Sequence, residues 1–135
     1  MGHISLKCAI ILLLCLTIFH LMFEPILGQY PFQKYTVRVV NGIDNEAITV
    51  RCQSKDDDLG THVLRTGEEF KWKFKINFMM STLYFCHFYW ENRDKSVDTF
   101  KIGYGMCERE YTWVVTKYGF YKGCDGKNSI LSVGW

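Results

Sequence analysis

Hydrophobic and polar residues alternate along most of the chain after residue 28. The clearest stretch is Glu68–Ile76, where Phe70, Trp72, Phe74 and Ile76 alternate with Glu69, Lys71, Lys73 and Lys75. A period of two is typical of a β-strand that has one buried face and one solvated face. The sequence therefore predicts a strand here, with its lysines on the solvent side.

Other segments rich in β-branched and aromatic residues predict further strands. They are Tyr35–Val40, Ala47–Cys52, Leu83–Trp90, Thr99–Tyr104 and Tyr111–Thr116, with shorter pieces at Phe120–Tyr121 and Ile130–Val133. Turn-forming residues separate them at 41–45, 56–60 and 91–95. Connections this short favour antiparallel pairing throughout, so we predict an all-β fold, a small antiparallel β-sandwich of about seven or eight strands. An up-and-down barrel is the alternative.

The first 28 residues have the layout of a secretory signal peptide. Lys7 precedes an apolar run over residues 8–19, which is shorter than the roughly 18 apolar residues that a membrane anchor requires. We expect cleavage after Gly28, which supplies the small residue that a signal peptidase needs, with Gln29 as the second choice. Residues 29–135 would then be a single secreted, extracellular domain that does not insert into a membrane.

Four cysteines remain after residue 28, namely Cys52, Cys86, Cys107 and Cys124. An even number in a short secreted chain favours two disulfides, because the secretory pathway is oxidising. Zinc is the alternative, but its ligand pairs usually lie about two to four residues apart, and the shortest spacing here is from Cys107 to Cys124.

Four cysteines can pair in three ways. A hairpin between the strands predicted at 83–90 and 99–104 would bring Cys86 close to Gly103 and just short of Cys107. We therefore expect the pairs Cys86–Cys107 and Cys52–Cys124.

Candidate catalytic residues are few. His62 and His87 are what an acid–base hydrolase or nuclease would use, but packing on a strand and exposure after a turn explain them equally well. Asp56–Asp58 offers oxygen ligands for Ca²⁺, yet the run lacks the further spaced ligands and the closing glutamate of a calcium loop. The sequence has no nucleophile elbow and no phosphate-binding glycine loop. We expect no enzyme activity, no metal and no cofactor.

The net charge says little about partners, since it neither requires nor excludes a nucleic-acid or membrane-surface partner. The formal net charge of +2 is unchanged by removal of residues 1–28. The aromatic residues fall mostly on faces predicted to be buried, so we expect no nucleic acid to bind. No N-linked glycan is expected, because Ser or Thr is missing two positions after each of Asn41, Asn45, Asn77, Asn92 and Asn128.

Several segments together resemble the plant self-incompatibility protein S1 family. The most specific is CQSKDDDLG at residues 52–60, followed by FKWKF at 70–74; FCHFYW at 85–90 and GFY at 119–121 fit the same family. The family signature loop comprises Ser54, Lys55, Asp56, Asp57, Asp58, Leu59 and Gly60. The resemblance covers essentially all of residues 29–135, and it implies a secreted β-sandwich with two disulfides.

The resemblance also implies a function. Founding members of the family are stigma-side ligands of poppy, which a pollen membrane receptor recognises so that self pollen is inhibited. The leading hypothesis is therefore a monomeric self-incompatibility ligand with a transmembrane receptor on pollen as its partner. The first alternative is a secreted homologue that acts in development or defence, and the second is a secreted hydrolase or nuclease that uses His62 and His87.

Receptor contacts are expected on loops, because loops tolerate substitution without disturbing the core. Three loops offer charged and turn-forming side chains: Asn92, Arg93, Asp94 and Lys95; Glu108, Arg109 and Glu110; and Asp125, Lys127 and Asn128. The signature loop is the weaker candidate, since a turn shared by a family would not by itself discriminate partners.

Overall fold

The computed structural model describes residues 5–135 of the chain, with side chains for all of these except residues 22–32. Helix α1 (Leu6–Phe32) covers most of the segment predicted to be a signal peptide, whose residues 1–4 lie outside the described part. No helix in the described part has the length and apolarity needed to cross a membrane. Cleavage after Gly28 stays a prediction.

Residues 34–135 form a unit of their own, built from two β-sheets. Sheet A has the strand order β4-β1-β7-β8-β9, and sheet B has the order β3-β2-β5-β6. The strands are β1 (Lys34–Asn41), β2 (Ile48–Gln53), β3 (Asp58–Leu64), β4 (Glu69–Lys75), β5 (Leu83–Trp90), β6 (Arg93–Lys101), β7 (Glu110–Thr116), β8 (Gly119–Cys124) and β9 (Ile130–Val133). The predicted all-β fold with two disulfides is confirmed.

Alternate residues of the strands point into the space between the sheets, as the period of two requires. In β4 the side chain of Trp72 is buried while Lys71, Lys73 and Lys75 are exposed, as predicted. The core is rich in aromatic rings. The ring centroid of Phe100 lies 5.2 Å from that of Tyr35, 4.6 Å from that of Phe74 and 5.2 Å from that of Tyr111. Such pairs stabilise by roughly 0.5–1.5 kcal/mol each beyond their buried area.

The prediction of antiparallel pairing throughout is wrong at one place. β1 pairs with β7 in parallel, with Thr36 opposite Glu110 and Val39 opposite Trp113. Connection length could not reveal this pair, because the chain passes through both sheets between the two strands.

One strand and one strand boundary also differ from the prediction. Residues 58–60, assigned to a turn because of their Asp and Gly, belong to β3, a strand that was not predicted. β6 begins at Arg93 rather than Thr99, because the β5–β6 hairpin turns within two residues, Glu91 and Asn92. Glu91 takes the left-handed conformation that this turn requires (φ 54°).

This early turn overturns the expected disulfide pairing. In the β5–β6 hairpin Cys86 lies opposite Val97, far from Gly103 in register. Its other neighbour is Cys52 of β2, directly across the ladder, and these two residues form the first disulfide (Cα–Cα 4.0 Å). Cys107 and Cys124 form the second (Cα–Cα 5.1 Å).

A buried asparagine links the two sheets. Asn41, at the end of β1, is fully buried. Its amide nitrogen donates to the carbonyl oxygens of Glu46 (2.8 Å) and Leu64 (2.9 Å), and its side-chain oxygen accepts from the backbone N–H of Ile43 (2.9 Å). One side chain therefore fixes the loop after β1 and ties it to the end of β3.

Candidate recognition surfaces

The sandwich has two ends that carry different loops. Contacts between the sheets, such as Phe74 with Tyr84 at one end and Trp90 with Trp135 at the other, fix which loops lie together. The disulfide end, named for Cys107–Cys124, carries loops 54–57, 76–82, 102–109 and 125–129. The opposite end carries loops 42–47 and 65–68 and the turns 91–92 and 117–118.

Two of the three predicted receptor loops form one unit at the disulfide end. The carboxylate of Asp125 accepts hydrogen bonds from the backbone N–H groups of Glu108 (2.9 Å), Arg109 (2.8 Å) and Glu110 (2.9 Å). Burial opposes the charge of Asp125, but these three donors outweigh burial and hold its pKa below the usual value. Asp125 is thus a structural clamp, whereas Lys127 and Asn128 are exposed.

A buried tyrosine supports the same unit. The hydroxyl oxygen of Tyr111 accepts a hydrogen bond from the backbone N–H of Cys107 (3.1 Å), and the residue is 2% exposed. Burial disfavours the phenolate and raises the pKa of Tyr111 to about 12, although the hydrogen bond from Cys107 acts in the other direction.

This raised pKa predicts a loss of stability at high pH. Between the ordinary tyrosine pKa of 10.0 and about 12, the unfolded chain releases the proton of Tyr111 while the folded chain retains it. The free energy of unfolding therefore decreases as the pH rises through this window, and the contribution of this group is complete below pH 10. Denaturant unfolding at a series of pH values measures this, and Tyr111→Phe should flatten the decrease. An unchanged slope in Tyr111→Phe would contradict the assignment.

The third predicted loop lies at the opposite end. Asn92 forms the tight turn with Glu91, and Arg93, Asp94 and Lys95 begin β6. The guanidinium of Arg93 lies 5.2 Å from the ring centroid of Trp90, and Asp94 Oδ1 lies 3.2 Å from Nε2 of His87. The charged groups of Arg93 and Asp94 are therefore held in place while they remain accessible to solvent.

The signature loop is organised by its own side chains. The backbone N–H of Asp57 donates to the Ser54 hydroxyl (3.1 Å), and the N–H of Ser54 donates to the carbonyl oxygen of Asp57 (2.7 Å). Asp58 forms an ion pair with Arg51 and accepts from the N–H of Gly60. The hydrogen bond to Arg51 is the main cause that lowers the pKa of Asp58. These contacts are consistent with a structural role for the loop.

The side chains of the two candidate catalytic histidines are not close enough to act together. His62 lies opposite Val50, whose side chain is buried, whereas His87 lies opposite Arg51, so their side chains are on opposite faces of sheet B. His62 stacks on Phe70 with 3.8 Å between centroids, and His87 stacks on Tyr89 with 4.5 Å. Packing accounts for both rings, and a joint acid–base site is ruled out for this pair.

The acidic run Asp56–Asp58 does not gather further metal ligands around it. In the part of the chain with described side chains, His, Cys, Asp and Glu form no cluster of three or more that could hold an ion. The carboxylate of Asp58 is engaged by Arg51 and Gly60, whereas Asp57 makes the loop contacts described above through its backbone.

An apolar loop at the disulfide end was not predicted from the sequence. Between β4 and β5, Phe78 is 93% exposed, Met79 79% and Met80 43%. Asn77 fixes this loop: its side-chain oxygen accepts from the N–H of Ser81 (2.9 Å), and its own N–H donates to the Thr82 hydroxyl (2.8 Å). We call residues 77–82 the apolar tip. Three consecutive apolar residues between two predicted strands were the available signal.

A cluster of lysines lies beside the apolar tip on the outer face of sheet A. Lys34 and Lys75 are directly opposite each other on β1 and β4, and Lys73 is the next outward residue of β4. Within the described residues these three lysines have no carboxylate in ion-pair distance, whereas Arg38 is 3.4 Å from both Glu69 and Glu110. Like charges directly opposite in a sheet repel one another, so the cluster favours binding of an anion.

Comparison with known proteins identifies the family. The model of the plant self-incompatibility protein S1 family matches residues 36–135. S-protein homolog 29 of Arabidopsis thaliana is 44% identical over 75 residues, which cover 55% of this chain and 56% of the homologue. S-protein homolog 6 of the same plant is 41% identical over 96 residues, covering 68% of this chain and 70% of the homologue. The first of these matches spans little more than half the length of the relative.

A solved structure shows the same fold. It belongs to the self-incompatibility protein homologues, described as a widespread family of small, highly stable, secreted proteins from plants. It matches with a TM-score of 0.62 and 14% identity over 76% of this chain and 95% of the solved chain. Together with the match over residues 36–135, these comparisons show that the chain belongs to the plant self-incompatibility protein S1 family of secreted, extracellular proteins.

Proposed function

We propose that this protein is a secreted recognition ligand, which a receptor in the pollen membrane binds so that self pollen is inhibited. Membership of the S1 family supports a role as a protein ligand. The chain would be released by cleavage of its signal peptide after Gly28 and would act without catalysis. The separation of His62 and His87 on opposite sheet faces supports a non-catalytic role.

The main support for the site of receptor contact is the β5–β6 hairpin, at the end of the sandwich opposite the Cys107–Cys124 disulfide. Arg93 and Asp94, directly after its two-residue turn, are exposed to solvent, while contacts with Trp90 and His87 fix their positions. A charged group that is already ordered loses less conformational entropy when a partner binds it. Arg is also among the residues that most often dominate binding energy at interfaces. The hairpin therefore offers ordered charges on a rigid support.

Charge reversal in this hairpin tests the proposal. The variant Arg93→Glu/Asp94→Lys/Lys95→Glu should weaken binding of the labelled protein to pollen membranes by about tenfold or more and abolish inhibition of pollen tubes. Its free energy of unfolding should fall by only about 1 kcal/mol, because the substitutions remove one cation–π interaction and one exposed hydrogen bond between Asp94 and His87.

A matched variant at the disulfide end serves as the control. Glu108→Lys/Lys127→Glu leaves the clamp of Asp125 on backbone N–H groups in place and should keep pollen binding. Loss of binding in the control alone would move the contact to the disulfide end. Retained binding in both variants would refute the loop proposal and direct attention to the lysine face of β4.

A role in another process of the plant is the second candidate. The Arabidopsis relatives carry only the name of S-protein homologues, with no link to pollen in that name. Such a protein would use the same fold as a secreted binding module in development or defence. Transcript confined to stigmatic papillae would favour the first function, and transcript in roots or leaves would favour the second.

A further inference from the structure

We propose that the disulfide end docks on anionic phospholipid bilayers, with the apolar tip inserted among the headgroups and the lysine cluster bound to lipid phosphates. This inference goes beyond the proposed receptor function and does not depend on it. It rests on two independent features that the fold places side by side.

The first feature is the exposure of the apolar tip. Phe78 and Met79 are 93% and 79% exposed to water, although the loop itself is ordered by hydrogen bonds that Asn77 donates to Thr82 and Ser81 and accepts from Ser81. Met80 takes the left-handed conformation (φ 57°), and its N–H donates to the carbonyl oxygen of Asn77 (3.0 Å). The backbone is thus fixed in a shape that projects apolar side chains outward. A partner with an apolar surface would recover the free energy that this exposure costs.

The second feature is the adjacent positive charge. Lys75 ends β4 two residues before the apolar tip begins, and Lys34 lies directly across the ladder from it. Lys73 adds a third cation on the same outer face. Two groups of acidic residues lie near these lysines. Asp56 and Asp57 of the signature loop line a cleft of about 380 Å³ together with Lys75, and Glu110 of β7 lies opposite Thr36, where it pairs with Arg38. At the β1–β4 edge of sheet A the outward side chains at this end are Lys34, Thr36, Lys73 and Lys75, so this edge is positively charged.

The combination favours a bilayer over a protein pocket. Proteins that bind the membrane interface pair Phe or Leu side chains with Lys and Arg beside them, because the former enter the acyl boundary while the latter reach phosphates. Each basic residue near an anionic surface contributes about a fivefold increase in affinity. A second aromatic, Tyr104, is fully exposed in loop 102–109 at the same end, so a membrane plane across this end would meet both loops. The β5–β6 hairpin would then face away from the membrane.

Vesicle sedimentation of the purified secreted protein tests the inference. The wild type should bind vesicles of phosphatidylcholine with phosphatidylserine, bind pure phosphatidylcholine vesicles much more weakly, and dissociate as salt is raised. Lys73→Gln/Lys75→Gln should weaken binding to the anionic vesicles by about 25-fold. Phe78→Ser/Met79→Ser should weaken it by about tenfold or more. Neither pair touches the core, so circular dichroism should be unchanged.

The opposite end supplies a matched control. Lys117 and Tyr118 form an exposed turn there, with Tyr118 80% exposed, and Lys117→Gln/Tyr118→Ser should bind vesicles like the wild type. Absence of wild-type binding to anionic vesicles overturns the inference, as does equal loss in the control. If vesicles are not bound but Phe78→Ser/Met79→Ser loses pollen binding, the apolar tip fits a protein pocket and the membrane inference is wrong. Loss of pollen binding in the hairpin variant alone concerns the receptor and leaves this inference standing.

Discussion

Replacing Cys52 and Cys86 together with alanine is expected to lower the free energy of unfolding by about 4 kcal/mol. The disulfide closes a loop with a sequence separation of 34 residues, and both cysteines are fully buried between neighbouring strands of sheet B. Its removal enlarges the unfolded ensemble and leaves a small void in the core. Denaturant unfolding without reductant measures the effect.

The second disulfide provides the comparison. Cys107→Ala/Cys124→Ala opens a loop with a separation of 17 residues, for which the same relation predicts about 3 kcal/mol. The two disulfide variants should also differ in which part of the molecule unfolds first. Loss of Cys107–Cys124 should loosen the unit clamped by Asp125, whereas loss of Cys52–Cys86 should lower the stability of the whole sandwich. A larger cost for the Cys107–Cys124 variant would contradict this ranking.

Asn41→Ala is expected to lower the free energy of unfolding by about 3–5 kcal/mol, because it leaves two buried backbone groups and one partly buried carbonyl without their partner. An unsatisfied buried carbonyl or N–H costs roughly 1–3 kcal/mol, and no surface side chain can replace the amide in the interior. Thermal unfolding of the variant measures the loss. The Tm should fall by more than about 10 °C for a domain of this size.

Two further variants separate the hydrogen bonds from the volume of the side chain. Asn41→Asp keeps the size and the acceptor for Ile43 but places oxygen against the carbonyls of Glu46 and Leu64, so it should be at least as destabilising. Asn128→Ala, on an exposed loop, should change the free energy by less than about 0.5 kcal/mol. If Asn41→Asp is as stable as the wild type, the two donated hydrogen bonds do not carry the effect.

The strands that the sequence predicted well are those whose two faces differ most in polarity. In β4 the lysines and aromatic residues alternate strictly, so its position and its buried face were both predictable. β3 was not, because Asp58 and Gly60 are residue types that favour turns, and only pairing with β2, in which Asp58 lies opposite Gln53, makes this segment a strand. The Arg51–Asp58 ion pair that stabilises this arrangement joins two strands and leaves no local pattern.

The disulfide pairs were mispredicted for a related reason. The pairing depended on where the β5–β6 hairpin turns, and Glu91 is not a residue that usually marks a two-residue turn. A shift of the turn by a few residues changes every cross-strand neighbour of Cys86.

The candidate site was predicted only in part. The charged loops were found, but the contact between residues 107–110 and residues 125–128 is made by Asp125 in the folded structure and leaves no pattern in the sequence. The apolar tip was overlooked since exposed apolar residues are indistinguishable from core residues in sequence.

The parallel pairing of β1 with β7 determines the order in which the molecule can assemble during synthesis. All four strands of sheet B have been synthesised once Lys101 is added, so Cys52 can meet Cys86 while the rest of the chain is still being made. β1 is made first, yet one of its two neighbours is β7, whose residues come about 70 positions later in the register Thr36–Glu110. One edge of β1 therefore stays unpaired until nearly the whole domain has been translocated. Sheet A is therefore completed last. Until β7 has been made, the unpaired edge of β1 must be kept from pairing with other chains in the secretory pathway.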